Sequence, residues 1–293
     1  PDSMHTPQHA RLMRLATRAA LTVALTLVLA KAIAWWLSGS VSLLAGLTDS
    51  LLDSAASLIN LIAVHFALRP ADEDHRYGHG KAEALAGLGQ ALFIGISAVL
   101  IGLQGVERLQ SPQPLAAEGI GIAVMLLSLA LTVALLAFQR KVVRETGSTA
   151  IHADSLHYRS DILLNSSILL ALLLTRFGWL QMDALFAIGI AVYIFWSALS
   201  IVRGAIAVLM DEELPSETTQ HMYALATAVP GVLGAHDLRT RISGTRWFVQ
   251  LHLELPGELS LREAHERCVA VERAIRGEYP RAEVLVHADP RPA

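Results

Sequence analysis

The chain has 293 residues, of which 53% are hydrophobic and 17% are charged, and its formal net charge is −3. The absence of a strongly basic balance argues against a nucleic-acid-binding protein. Cys268 is the one cysteine, so the chain cannot form an intrachain disulfide or a thiolate cluster. We expect Cys268 to be a small residue on the buried side of a helix.

The apolar residues are concentrated before residue 211, which predicts two regions. Residues 1–10 are expected to be disordered. Six apolar runs of about 20 residues follow, and each is long enough to cross a bilayer as a helix. These runs place a six-helix transmembrane domain within residues 11–211, with spans near 12–36, 41–67, 82–108, 117–139, 149–175 and 182–209.

Basic residues predict the orientation of the spans. They lie before the first span and in the second and fourth connections, whereas the first connection, residues 38–40, carries no charge. Short loops rich in Lys and Arg face the cytoplasm. We therefore expect a multi-pass protein in the lipid bilayer with both termini in the cytoplasm.

Two of the spans carry ionisable residues that are costly in lipid. Asp49 and Asp53 lie four residues apart in the second span, as do His157 and Asp161 in the fifth. This spacing places each pair on one helix face, at similar depths if the two helices are antiparallel neighbours. Three carboxylates and one imidazole suit a divalent cation, with zinc favoured. The sequence predicts a four-ligand cage near the membrane midplane.

The charge of this cage suggests what replaces the metal. With a divalent ion bound, three carboxylates leave a formal charge of −1. Without it, three anions remain in a medium of low dielectric constant, and their desolvation and mutual repulsion favour protonation. Metal and protons would then compete for the same residues, which is the chemistry of a metal/proton antiporter.

The connection between the second and third spans contains a second group of candidate ligands. His75 and His79 are four residues apart, and Asp72 precedes His75 by three residues. Three protein ligands near solvent leave a coordination position for water, so we expect weaker binding here than in the membrane cage. A solvated, charged loop with no metal is the alternative.

Residues 212–293 have the composition of a soluble domain. A helix is predicted over Pro215–Val229, and strands over Val232–Ile242 and Thr245–Leu255 flank a turn. Ser260 and Glu263 form a capping box for a helix that ends near Glu278. A short strand over Ala282–His287 completes the order αββαβ, a helix layer on a sheet.

This domain holds a third group of candidate ligands, which could bind two zinc ions bridged by Asp289. Isolated histidines are usually ordinary surface residues, but several in one small module behind a membrane metal site favour binding. The candidates are His236, His252, His265, His287 and Asp289.

Together these motifs resemble the cation diffusion facilitator family from about Arg11 to Pro290. The specific marks are Asp49-x3-Asp53, the stretch from Asp72 to Glu83, His157-x3-Asp161, His236 to Arg241, and His287-Ala-Asp289-Pro. The resemblance implies that the three groups of ligands are a transport site, a loop site and a binuclear cytoplasmic site. One departure is Ala288, where relatives often have Gln.

The resemblance also implies a homodimer with a metallochaperone-like cytoplasmic domain, in a bacterial inner membrane. It implies proton-coupled export by alternating access, a Lys81–Asp211 salt bridge at the junction of the two domains, and regulation of transport by cytoplasmic metal. Zinc would be substrate and structural or regulatory ion, with no catalytic cofactor. Cadmium, ferrous iron and cobalt stay open as substrates.

Two other function classes stay open from the residues. A membrane metallohydrolase needs an open coordination position and a general base, commonly in His-Glu-x-x-His, and that motif is absent. A metal sensor would account for the cytoplasmic histidines but would leave the membrane cage without a role. Transport accounts for both groups.

Overall fold

A computed structural model describes residues 7–38, 41–110, 119–175 and 182–291. Within these ranges the chain separates into two compact units, one over Pro7–Ile206 and the other beginning at Ala207. The first is helical and the second is a small α+β unit. The domain boundary predicted at residue 211 lies close to this division.

The described residues of the first unit form six helices, in the order predicted. They are α1 (Pro7–Ser38), α2 (Val41–Ala67), α3 (Lys81–Gln110), α4 (Gly119–Thr146), α5 (Thr149–Thr175) and α6 (Met182–Leu209).

The first helix begins earlier than expected. The predicted disordered segment covers residues 1–10, and residues 1–6 lie outside the described part of the chain. Residues 7–10 are helical, so for them the prediction is wrong. Pro7 suits the first turn, because its missing N–H has no partner in a helix start and its φ is already helical.

Five of the helices are long and apolar enough to cross a membrane. α5 is not among these five within the described residues, and its first half carries the charged side chains of Asp154, Arg159 and Asp161. Large apolar side chains stay exposed on the other helices, for example Ile59 and Ile96. An exposed apolar surface of this kind is typical of helices that face lipid.

Small residues allow the helices to pack closely. Ala91 and Ala98 of α3 are buried together with Ala153 of α5 and Ala198 of α6. A side chain at Gly105 would come within 2.8 Å of Ile188 Cγ1, so α3 and α6 pass each other where only glycine fits. Membrane helices commonly associate through such small residues.

The second unit has the predicted order αββαβ. It contains α7 (Ser216–Thr227), β1 (Gly234–Ser243), β2 (Arg246–Pro256), α8 (Leu261–Glu278) and β3 (Ala282–Arg291). The strand order is β1-β2-β3, with β1 antiparallel and β3 parallel to β2. The last strand continues past its predicted end at His287, because β3 stays paired with β2 as far as Arg291, which lies opposite Pro256.

A single apolar core holds this unit together. Leu251 and Leu253 of β2 face Val271 and Ile275 of α8, and all four are essentially inaccessible to solvent. The alternating pattern of β2 places the intervening residues on the other side of the sheet. Cys268 is buried against this core, as predicted. The other face of the sheet is therefore available for polar residues.

The predicted capping box at the start of α8 is present. The Ser260 backbone N–H donates to Glu263 Oε2 (2.9 Å), and the Glu263 N–H donates to Ser260 Oγ (3.3 Å). Hydrogen bonds from the Ser260 hydroxyl and N–H lower the pKa of Glu263.

Candidate metal centres

Asp53, His157 and Asp161 converge between α2 and α5. His157 Nε2 lies 2.9 Å from Asp53 Oδ1 and 3.8 Å from Asp161 Oδ2. The candidate ligand atoms of the three residues all lie within 4.8 Å of one another. His157 Nε2 is buried, and it makes no well-aligned hydrogen bond within the described residues. A buried nitrogen directed at two carboxylates is a suitable donor for a metal ion.

The structure places Asp49 outside this three-residue cluster, although the sequence predicts a four-ligand cage. Asp49 lies one helical turn before Asp53, about 6 Å along α2, and its side chain is exposed. His157 lies beside Asp53, so Asp49 is one turn too far along the axis. Near Asp49, the Lys31 ammonium donates to the Gly46 carbonyl (3.1 Å) and to Ser50 Oγ (2.6 Å).

Tyr158 fixes α5 against the first two helices. Its hydroxyl donates to the Ala20 carbonyl (3.2 Å) and lies 2.9 Å from Ser57 Oγ. Only 2% of the side chain surface is accessible. Because Tyr158 follows His157 directly, these bonds set the height at which the imidazole meets α2.

Asp154 connects α5 to two further helices and is not among the predicted site residues. Its Oδ1 accepts from Gln90 Nε2 of α3 (2.8 Å), and its Oδ2 accepts from Gln139 Nε2 of α4 (2.6 Å). The carboxylate is 1% exposed. The available signal was an acidic residue inside an apolar span, three positions before His157, which is the kind of residue that usually has a function.

The predicted loop residues Asp72, His75 and His79 also lie together. Asp72 Oδ1 accepts from the His75 backbone N–H (2.7 Å) and lies 3.2 Å from His75 Nδ1. Asp72 Oδ2 lies 3.3 Å from His79 Nε2. The His75 N–H lowers the pKa of Asp72, and the two imidazoles add to this effect. The three ligand atoms are close enough for one metal ion.

Asp289 is the centre of the polar cluster on the exposed face of the sheet of the second unit. Its Oδ2 lies 2.8 Å from His252 Nδ1 and 3.4 Å from His236 Nε2, and its Oδ1 lies 3.2 Å from His287 Nε2. The strand register places the three histidines in one row. The hydrogen bond with His252 is the main cause that lowers the pKa of Asp289.

The membership of this cluster differs from the prediction. His265 lies on α8 with an exposed side chain, and within the described residues it is not part of a group that could hold one metal ion. Two acids that are not among the predicted residues do approach. Glu254 Oε1 lies 3.3 Å from His236 Nδ1, and Asp237 Oδ2 lies 3.9 Å from His252 Nε2.

The side chain of Asp237 reaches the cluster because of a backbone irregularity. The pairing of β1 with β2 shifts between His236 and Arg239, and Asp237 has φ of 49°. A β-bulge of this kind redirects side chains, and simple strand alternation does not predict it.

Two family models match the chain. The model described as "Cation efflux transmembrane domain" matches residues 17–210, and the model described as "Cation efflux protein, cytoplasmic domain" matches residues 214–291. The chain belongs to the cation diffusion facilitator family. It is therefore a multi-pass membrane transporter that exports metal cations. Membership of this family also indicates that the chain binds metal ions and a second copy of itself.

Similar family members span nearly the whole chain. The cation-efflux pump FieF of Yersinia enterocolitica is 51% identical over 284 residues, which cover 97% of this chain and 95% of that protein. FieF of Klebsiella pneumoniae is 50% identical over 282 residues, with coverages of 96% and 94%. A solved structure described as "MamM-CTD 215-293" is 32% identical, covers 26% of this chain and 96% of that chain, and has a TM-score of 0.25.

Proposed function

We propose that the protein exports zinc from the cytoplasm in exchange for protons. The observation that carries this proposal is the convergence of Asp53, His157 and Asp161 inside the helical unit of a cation efflux protein. One imidazole nitrogen and carboxylate oxygens suit zinc better than a cation that prefers oxygen alone. Cadmium, ferrous iron and cobalt remain alternative substrates with similar ligand preferences.

Asp49 would be the fourth ligand of the transported ion. It lies outside the cluster here, one turn away on the same helix as Asp53. Alternating access requires the helices that hold the ion to change position, and we propose that a shift of α2 relative to α5 brings Asp49 to the ion. The four residues would then leave no coordination position for a catalytic water.

Proton exchange follows from the charge of this site. Three carboxylates and a divalent ion have a formal charge of −1, and loss of the ion leaves three carboxylates close together with few water molecules. Their repulsion and desolvation favour protonation. Protons entering from the outside would therefore release the metal, and metal entering from the cytoplasm would release the protons.

Asp289 and its three neighbouring histidines form a donor set that fits a resident zinc ion. The imidazoles of His236, His252 and His287 surround one carboxylate that can bridge two ions. Bound zinc would supply structural charge neutralisation at this face, not catalysis. We propose that this site stabilises the homodimer and thereby regulates transport, with the loop residues as a weaker additional site.

The expected location is the bacterial inner membrane, with both termini in the cytoplasm. Within the cytoplasmic unit, Asp211 Oδ1 lies 3.6 Å from Arg241 Nη1. A salt bridge between Lys81 and Asp211 stays a prediction.

Zinc uptake by proteoliposomes that enclose a zinc indicator tests the transport proposal. The pH gradient across the vesicles is varied, and we expect uptake to rise when protons flow in the opposite direction to zinc. Uptake that is insensitive to the gradient would refute proton coupling. Transport by Asp49→Ala at the rate of the unaltered protein would refute a four-ligand cage.

Regulation by cytoplasmic metal needs a separate measurement. The dissociation constant of the dimer is measured with and without zinc for the unaltered protein and for Asp289→Ala. We expect zinc to tighten only the unaltered dimer. If both proteins respond equally, cytoplasmic metal does not regulate through this site.

A further inference from the structure

A basic cavity lies between α4 and α5, and the described residues that line it include no member of the metal clusters. It has a volume of about 230 Å³. Three of its lining residues are exposed arginines, Arg140 and Arg144 of α4 and Arg159 of α5, and the imidazole of His152 lines the same cavity. Among the described residues that line it, none carries a carboxylate. This concentration of positive charge favours an anionic ligand.

The cavity has an apolar wall as well as a basic one. Leu136 of α4 and Leu156 of α5 line it and are buried. Arg140 and Arg144 lie near the end of α4, whereas Arg159 lies about 15 Å along α5 from its start. The basic groups therefore extend from the helix ends into the apolar part of the helical unit.

Arg159 is costly at this depth unless it has a partner. Its guanidinium lies 5.2 Å from the ring centre of Tyr193 on α6, which holds it in place but does not neutralise its charge. An intramembrane arginine normally pairs with an anion or reaches the interface. A phosphate group in the cavity would satisfy this requirement, since guanidinium groups bind phosphate through paired hydrogen bonds.

The surface of α4 next to the cavity indicates where the phosphate comes from. Leu126 and Val133 precede Arg140 at intervals of seven residues, so the three lie on nearly the same helix face. Leu126 is 53% exposed and Val133 is 49% exposed. An apolar track thus leads from the basic cavity toward the other end of the helix, which suits acyl chains attached to the phosphate.

We propose that this cavity binds the headgroup of an anionic phospholipid, with the acyl chains along the exposed face of α4. Basic pockets between transmembrane helices are suited to such headgroups. A lipid bound here would join the end of α4 to the start of α5, the helix that carries His157 and Asp161. Its affinity would not depend on which metal is transported.

Native mass spectrometry of the full-length protein in an uncharged detergent tests this site. The probes are dioleoyl phosphatidylglycerol and dioleoyl phosphatidylcholine, added separately at matched concentrations. We expect the unaltered protein to retain phosphatidylglycerol preferentially. Equal retention of the two lipids would overturn the proposal, and this comparison needs no variant.

Variants then test the location of the site. The double variant Arg140→Gln/Arg144→Gln should bind phosphatidylglycerol about thirtyfold more weakly, the effect expected for two basic contacts to an anionic lipid. The matched control is Lys141→Gln/Arg203→Gln, which also removes two charges. Lys141 is exposed on the same turn of α4 but lies near Glu145, and neither control residue lines the cavity.

The control should change lipid affinity by less than about twofold. If both double variants lose lipid affinity equally, phosphatidylglycerol is attracted by the overall positive charge of this region, and a specific binding cavity is contradicted. Inorganic phosphate is a third probe. If phosphate at the same concentration displaces phosphatidylglycerol, the ligand is the free anion and the lipid assignment is wrong; retention of the lipid supports it.

Discussion

Replacing Asp154 with asparagine should loosen α5, the helix that carries His157 and Asp161. In the structure both carboxylate oxygens of Asp154 accept hydrogen bonds, one from Gln90 at 2.8 Å and one from Gln139 at 2.6 Å. The variant amide has one oxygen and one NH2 group. It can therefore keep only one of these bonds, because its NH2 group meets the NH2 group of the second glutamine.

The magnitude follows from the burial of this group. Asp154 is 1% exposed, so water cannot replace the lost partner. Leaving a buried donor without an acceptor costs roughly 1–3 kcal/mol. A neutral amide is easier to bury than a carboxylate, which offsets part of the loss. We therefore take a value in the lower half of this range, about 1.5 kcal/mol, which is roughly a tenfold increase in the opening equilibrium of α5.

Hydrogen–deuterium exchange of the full-length protein in detergent micelles measures this opening. Peptides from the first half of α5 should exchange about tenfold faster in Asp154→Asn, because exchange requires local opening of the helix. Asp49→Asn is the matched control. Its side chain is exposed, so we expect a change of less than about twofold. Unchanged exchange in α5, or the same acceleration in both variants, would refute the role of Asp154.

Three further predictions concern other contacts. Tyr158→Phe removes the hydroxyl that joins α5 to α1 and α2; we expect zinc affinity to fall about tenfold, measured by competition with a fluorescent indicator. Hydrogen bonds from Ser260 lower the pKa of Glu263. The stability that these bonds give to α8 is therefore complete above the ordinary carboxyl pKa and is lost as the pH falls through the lower pKa of the folded state. Hydrogen–deuterium exchange in α8, corrected for intrinsic rates, should rise below about pH 4, and Glu263→Gln should show no such rise. Asp289→Asn should reduce the zinc retained per chain, measured by elemental analysis, whereas Glu283→Gln on the same strand should not.

The helices and strands were predictable from the sequence because their signals are local. Apolar runs long enough to span a bilayer predicted the helices of the first unit, and all six lie close to their predicted ranges. In the second unit, alternating apolar residues predicted β2, and the capping box predicted the start of α8. Such signals need only neighbouring residues, so one sequence is enough to identify them.

The composition of the clusters was less predictable because it depends on how helices and strands meet. The spacing of Asp49 and Asp53 places them on one face of α2, but the height of α5 decides which of them meets His157. Asp154 was not identifiable as a contact of Gln90 and Gln139 without knowing which faces of α3 and α4 turn toward α5.

Similar limits apply in the cytoplasmic unit. His265 is separated from the histidine row because it lies on α8, which packs on the core side of the sheet. Asp237 approaches because of a bulge in β1. Both outcomes depend on tertiary contacts that residue counting does not include.

Zinc flux through variants of two of the candidate centres tests the central claim most directly. Zinc uptake is measured in proteoliposomes with a pH gradient that drives protons outward. Asp53→Ala should lose zinc transport, because Asp53 contacts His157 in the membrane cluster. Asp72→Ala removes a carboxylate from the loop cluster instead and should retain most of the flux. Undiminished transport by Asp53→Ala, with folded protein present in the vesicles, would contradict the assignment of the membrane cluster as the path of the metal.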